Sequence, residues 1–173
     1  RVAAHYAAAT EAGTYSAAVL ADSPLLYHDY SWPFPAPITA NLGTLGSTGN
    51  GLFLPGSKAG APGPVPSVYP GFAATNKAAA FIADGGAVRL PALNLNTNTI
   101  TISAWVNATN AQKLGAGLVV NTAGSGLIID GAFGGLGLGY YWNNTAGTFN
   151  WSPSADAGLP PLPNSQWAFA ALV

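Results

Sequence analysis

"NTITISAWVN", residues 98–107, places Ile100, Ile102, Ala104 and Val106 in alternation with Thr99, Thr101, Ser103, Trp105 and Asn107. Period-two alternation of this length is the pattern of a half-buried antiparallel strand. Its polar row carries a tryptophan, which suits either a sugar-stacking face or a second packed layer. Leaving the indole fully exposed would forgo about 2–3 kcal/mol of burial. Packing beneath other parts of the chain, the long 31–75 segment first among them, is therefore the expectation for Trp105.

On both sides of this stretch the chain consists of short apolar runs punctuated by Gly, Pro, Asn and Ser, a pattern of many short strands. Strands are expected near residues 25–30, 79–82, 87–90, 99–106, 117–121, 126–130, 136–142 and 167–173. Between 31 and 75 come "WPFPAP", "LGSTGNG" and "AGAPGPVPSVYPG". These are too rich in Pro and Gly for a core strand, so the segment is expected to be a surface excursion with one short strand around 51–54. The opening "RVAAHYAAATEAGTYSAAVLADSP" is rich in Ala and predicts two short helices. The first covers about 2–11, the second begins at Thr14 or Ser16, and Asp22-Ser23-Pro24 ends it.

Composition narrows the function classes. Charged residues make up 6% of 173 residues and the net charge is −1, with 22 Gly, 14 Pro and no Cys. An average soluble domain is about 25% charged, so this surface is neutral and polar. Five Lys and Arg scattered singly give no basic stripe for nucleic acid and no polybasic cluster for anionic lipid. No apolar run approaches the ~18 residues of a membrane span. Zero cysteines excludes disulfides, thiol catalysis and Cys-ligated zinc. Arg1 in place of Met is read as the mark of a processed chain or of a piece of a longer one.

The order "VLADSPLLYHDY", "GNGLFLPG", "NKAAAFIADGGAVRLP", "NTITISAWVN", "GLGYYWNN", "QWAFAALV" resembles the laminin-G-like branch of the concanavalin A-like jelly rolls, from about Val19 to the end. The resemblance implies an all-β, antiparallel two-sheet jelly-roll sandwich at 24–173. The short helical segment at 1–23 resembles the joints that precede such domains in large bacterial surface proteins. It further implies a secreted or cell-surface location, and strands beyond the 166–173 run, so that the jelly roll is expected to be incomplete at its C-terminal end.

Glycoside hydrolysis is the enzymatic chemistry of that superfamily, and it needs two carboxyl groups ~5–10 Å apart. The six acids are Glu11, Asp22, Asp29, Asp84, Asp130 and Asp156, and no two lie within six residues of each other. The expectation is a chain without a catalytic site. His28 beside Asp29 invites a dyad with Ser23 or Ser31, but strand neighbours point to opposite faces. Both His5 and His28 are expected to be structural. Calcium is the candidate cofactor, held at a sandwich rim by Asp22, Asp84 or Asp130 with backbone and Asn oxygens; turn-capping is the competing role for each.

Neutral sugars are recognised by aromatic faces with Asn and backbone groups, and "YYWNNTAGTFNW", residues 140–151, concentrates both. Tyr141, Asn143, Asn144, Asn150 and Trp151 are the candidate ligand-binding residues. Two functions are expected from these observations. The first is a non-catalytic extracellular adhesion or structural module, partnered by other copies or domains of a surface protein. The alternative is a carbohydrate-binding module with a glycan ligand.

Overall fold

The structure, a computed structural model, describes residues 1–11, 14–31, 37–93, 97, 99–109, 112, 116–121, 125–130, 136–145, 148–151 and 160–173. For 121, 125, 130, 141–145 and 148–151 it describes the backbone alone. The chain divides into two compact units, Arg1–Leu95 and Asn96–Val173. It is a mixed fold of two helices and several small antiparallel sheets. Among the described residues the strands form four separate antiparallel sheets, beside the two helices expected at the N-terminal end.

In the first unit, helices α1 (Val2–Thr10) and α2 (Tyr15–Ala21) form as the Ala-rich opening dictates. Thr14 stands extended at the start of α2, and Ser23 at φ 51° breaks the helix before Pro24. The helices are stitched to the turn that follows residue 65. Gly71 donates its N–H to the Ala9 carbonyl (3.0 Å) and accepts the Tyr15 N–H (3.0 Å), while Tyr15 packs on Phe72 with ring centroids 4.8 Å apart. A Cβ on Gly71 would overlap the Ala8 carbonyl, so only glycine permits this approach.

Segment 25–30 is not a strand. Its backbone bonds to side chains and turns in place of a ladder, and Tyr30 leaves the extended region at φ 56°. From residue 37 on, the 31–75 excursion is built into the unit. It supplies β1 (Ile38–Thr39), a 3-10 turn (Gly46–Gly49), β2 (Gly51–Phe53) and β3 (Ser57–Pro62). β4 (Lys77–Phe81) pairs with β3 across a bulge, and β5 (Val88–Arg89) completes the ladder β1-β2-β5. Gly and Pro punctuation hid these short pairings, because bulges and turns accommodate residues that long strands do not.

The second unit holds the opening stretch as β6 (Ile102–Asn107), paired along its whole length with β11 (Trp167–Leu172). β7 (Ala116–Asn121), β8 (Ser125–Asp130), β9 (Gly137–Thr145) and β10 (Thr148–Trp151) form an antiparallel meander in the order β10-β9-β8-β7. Residues 102–106 of β6 are all half-buried, and Val106 of its apolar row reaches the core. Val106 and its cross-strand partner Ala168 pack on a core of Ala108, Ile129, Leu136 and Leu162, together with Ala116, Leu118 and Leu138 of the meander. Two ladders thus share one apolar layer. β8 is buried on both faces, with Leu127, Ile128 and Ile129 at 3%, 0% and 3% exposure.

Candidate functional site

The aromatic hairpin lies in the second unit, in one sheet with β8 and its Asp130, whereas Asp22, Asp29 and Asp84 lie in the first. β9 and β10 are antiparallel partners whose register sets Tyr141 opposite Trp151, Trp142 opposite Asn150 and Asn143 opposite Phe149. Asn144 lies in β9. The pairing gathers all five candidate ligand-binding positions on one hairpin; their side chains lie outside the described residues. The Tyr- and Trp-rich runs favour the pleated pairing of β9 with β10.

Asp22 ends α2 and faces basic side chains. Its Oδ2 is 3.1 Å from His5 Nε2 and 3.7 Å from Arg1 Nε. His5 is buried and meets Tyr15 edge-on at 6.4 Å, so it ties α1 to α2 as a structural residue. Asp84 is exposed in the 83–86 turn between β4 and β5, closed by the Gly86 N–H to the Ala83 carbonyl at 3.0 Å. Asp130 ends β8, and its side chain lies outside the described residues. Among the described residues no three His, Cys, Asp or Glu side chains are grouped closely enough to hold a metal ion.

The histidine dyad does not assemble into a nucleophilic relay. The Asp29 carboxylate accepts from the Ser31 N–H (3.0 Å) and hydroxyl (2.8 Å), a local turn cap that engages both partners. His28 instead directs Nδ1 toward Thr39 Oγ1 at 3.4 Å and stacks on Tyr30 at 6.2 Å. Burial lowers the His28 pKa from its ordinary 6.5, against the opposing pull of the Ala40 and Gly49 carbonyls and of Asp29. Burial also raises the Tyr30 hydroxyl above 10.0. Tyr27 is raised as well, by burial first and by Asp29, in spite of a hydrogen bond with Ser16 of α2.

Trp105 is half-buried, and its cross-strand partner Phe169 lies 5.6 Å away in a tilted ring contact. On the ladder, the polar row of β6 pairs Asn107 with Trp167, Trp105 with Phe169 and Ser103 with Ala171. It is therefore an aromatic row on the opposite face from Val106. Cross-strand aromatic pairs of this sort contribute roughly 0.5–1 kcal/mol each.

Asn41 is the residue that reading the sequence missed. It is 7% exposed, and its Oδ1 accepts the N–H groups of Tyr27 (2.8 Å) and Gly43 (3.0 Å). Its Nδ2 donates to the carbonyls of Leu25 (3.1 Å) and Gly46 (3.1 Å), and its own N–H donates to Asn50 Oδ1 at 2.9 Å. Gly49 lacks a Cβ where one would collide with the Asn41 amide at 2.5 Å. The signal lay in "NLGTLGSTGN" (41–50), where two Asn flank a Gly-rich run. A buried amide with every bond satisfied specifies a turn as strictly as an apolar core specifies a strand.

No protein-family model, curated protein or solved structure matches the chain. No helix among the described residues is long and apolar enough to cross a membrane.

Proposed function

We propose that the chain is a non-catalytic extracellular adhesion or structural module of jelly-roll type, at a secreted or cell-surface location, and that its partners are other copies or domains of a surface protein. The observation that carries this reading is the shared core of the second unit. There the β6–β11 ladder and the β7–β10 meander bury one apolar layer between them, as sandwich sheets do. Composition supports the extracellular and structural part, since a chain with 6% charged residues and Gly/Pro-rich turns presents a neutral surface suited to a neutral, repetitive environment.

A second reading, a carbohydrate-binding module, is favoured by one specific observation. The β9–β10 register sets Tyr141 opposite Trp151, with Asn143 two positions along β9 in the same alternation, as a sugar-stacking platform needs, while Asn144 and Asn150 fall in the other alternation. Calcium at Asp22, Asp84 or Asp130 remains a proposal for a rim ion. Asp22 is the least suited, because its carboxylate already faces Arg1 and His5.

Sedimentation across a concentration series, run beside a glycan array, separates the readings. Self-association with an empty array supports the structural module. A glycan hit that disappears in Trp151→Ala supports recognition. Glycan turnover that depends on any one of the six acids overturns both.

A further inference from the structure

His28 belongs to segment 24–30, which has no ladder of its own and is fastened to the turn at 39–50. The Thr44 N–H donates to the Pro24 carbonyl at 2.8 Å, the Leu42 N–H donates to the Tyr27 carbonyl at 2.8 Å, and the Asn41 side chain bonds to Leu25 and Tyr27. The imidazole sits among these fastenings. Its Nδ1 lies 3.4 Å from Thr39 Oγ1, its Nε2 is buried without a hydrogen-bond partner, and its ring stacks on Tyr30, which meets Phe53 of β2 edge-on at 6.1 Å. The groups that face it are Asp29 and Tyr30 from its own segment, Thr39 of β1 with the Ala40 carbonyl beside it, and the Gly49 carbonyl of the 3-10 turn. Asp29 supplies the negative charge among them, and that carboxylate is engaged by Ser31. Ser23 and Tyr30, both non-glycine residues at positive φ (51° and 56°), bracket the segment, so its closed form is held under backbone strain that opening relieves.

We infer that His28 is the pin of a proton-sensitive clasp, which fastens segment 24–30 to the 39–50 turn at neutral pH and loosens it in mild acid. When the clasp is closed, the half-buried ring is held neutral, with its Nε2 enclosed and burial outweighing the pull of the Ala40 and Gly49 carbonyls and of Asp29. When it is open, the ring is solvated and titrates near 6.5, so opening takes up a proton from solvent. The sign follows from linkage. The clasp is at full strength above pH 6.5 and weakens as pH falls from 6.5 toward the lowered pKa of the closed form, below which no further loss occurs. Opening becomes about tenfold easier for each pH unit that separates the two pKa values.

Amide hydrogen exchange of the whole chain at pH 7.5 and 5.5, expressed as protection factors to remove the intrinsic pH dependence, tests the clasp. Tyr27, Leu42 and Thr44 are expected to lose protection severalfold at the lower pH, while Leu127, Ile128 and Ile129 of β8 keep theirs. In His28→Gln the pH dependence at Tyr27, Leu42 and Thr44 should vanish. Equal losses in both regions, no loss at all, or a pH dependence that survives in His28→Gln overturns the inference. Should the variant fail to fold, an NMR titration of the wild-type chain decides: a His28 ring titrating at or above 6.5 overturns it, and one titrating below upholds it.

Discussion

Unit Arg1–Leu95 and unit Asn96–Val173 solve the same problem by different means. In the first, short strands of two to six residues are joined by turns whose backbone groups are satisfied by the Asn41 amide, the Asn50 Oδ1 and the backbone bonds of Gly71. In the second, strands of up to nine residues place apolar rows face to face, and the buried set is Ala, Leu and Ile. The difference shows that a chain poor in charge and rich in Gly and Pro can specify structure through buried hydrogen bonds where periodicity is absent. Apolar burial is non-directional, whereas an amide hub fixes distances and angles.

Substitutions that attack each device in turn should sharpen the contrast. The largest effect is expected from Gly71→Ala, since the new Cβ meets the Ala8 backbone, which cannot rotate away. A loss of about 4 kcal/mol, seen in urea unfolding with reduced helical circular dichroism, is the expected outcome. Unchanged stability would show that the helices are not seated on the 71–72 turn. Ile128→Ala, at a fully buried position of β8, should cost about 3–4 kcal/mol by the same measurement and leave the helical signal of the folded protein intact.

Asn41→Ala should cost about 3 kcal/mol, because the Tyr27 and Gly43 N–H groups and the Leu25 and Gly46 carbonyls lose their partner together. Asn41→Asp should do no better. A carboxylate keeps the two N–H bonds but turns its second oxygen toward the Leu25 and Gly46 carbonyls. An Asp variant as stable as wild type would break the hub argument. The smallest effect belongs to the aromatic row. A double-mutant cycle on Trp105→Ala and Phe169→Ala is expected to return a coupling of about 0.5–1 kcal/mol, and a coupling of zero would leave the 5.6 Å contact without energetic weight.

How much was legible follows the same division. Alternation located β6 at 102–107 against an expected 99–106, and the runs at 116–121, 125–130, 137–145 and 167–172 fell where apolar stretches were bounded by turn residues. The helices were legible through Ala content and the Asp22-Ser23-Pro24 stop. β1, β3 and β10 were not expected as strands, and segment 25–30 looked like one although it is not. "LLYHDY" has strand-like composition, but its backbone groups find a better partner in Asn41 sixteen residues after Leu25, and no local rule contains that partner. At the candidate site the sequence singled out the hairpin residues. Register then decided which of them stand opposite one another, with Tyr141 across from Trp151.

The sequence by itself determined the helical opening, the strand-rich remainder, the neutral surface and the scarcity and scatter of acids, because these depend on residue type and on spacing along the chain. Only the tertiary structure decided that Asn41 is a hub, that His28 turns to Thr39, and that Trp105 pairs with Phe169. Those outcomes depend on which distant groups meet. Hydrogen bonds and ring contacts reward that meeting only at short range and in one orientation, so composition and periodicity do not encode it.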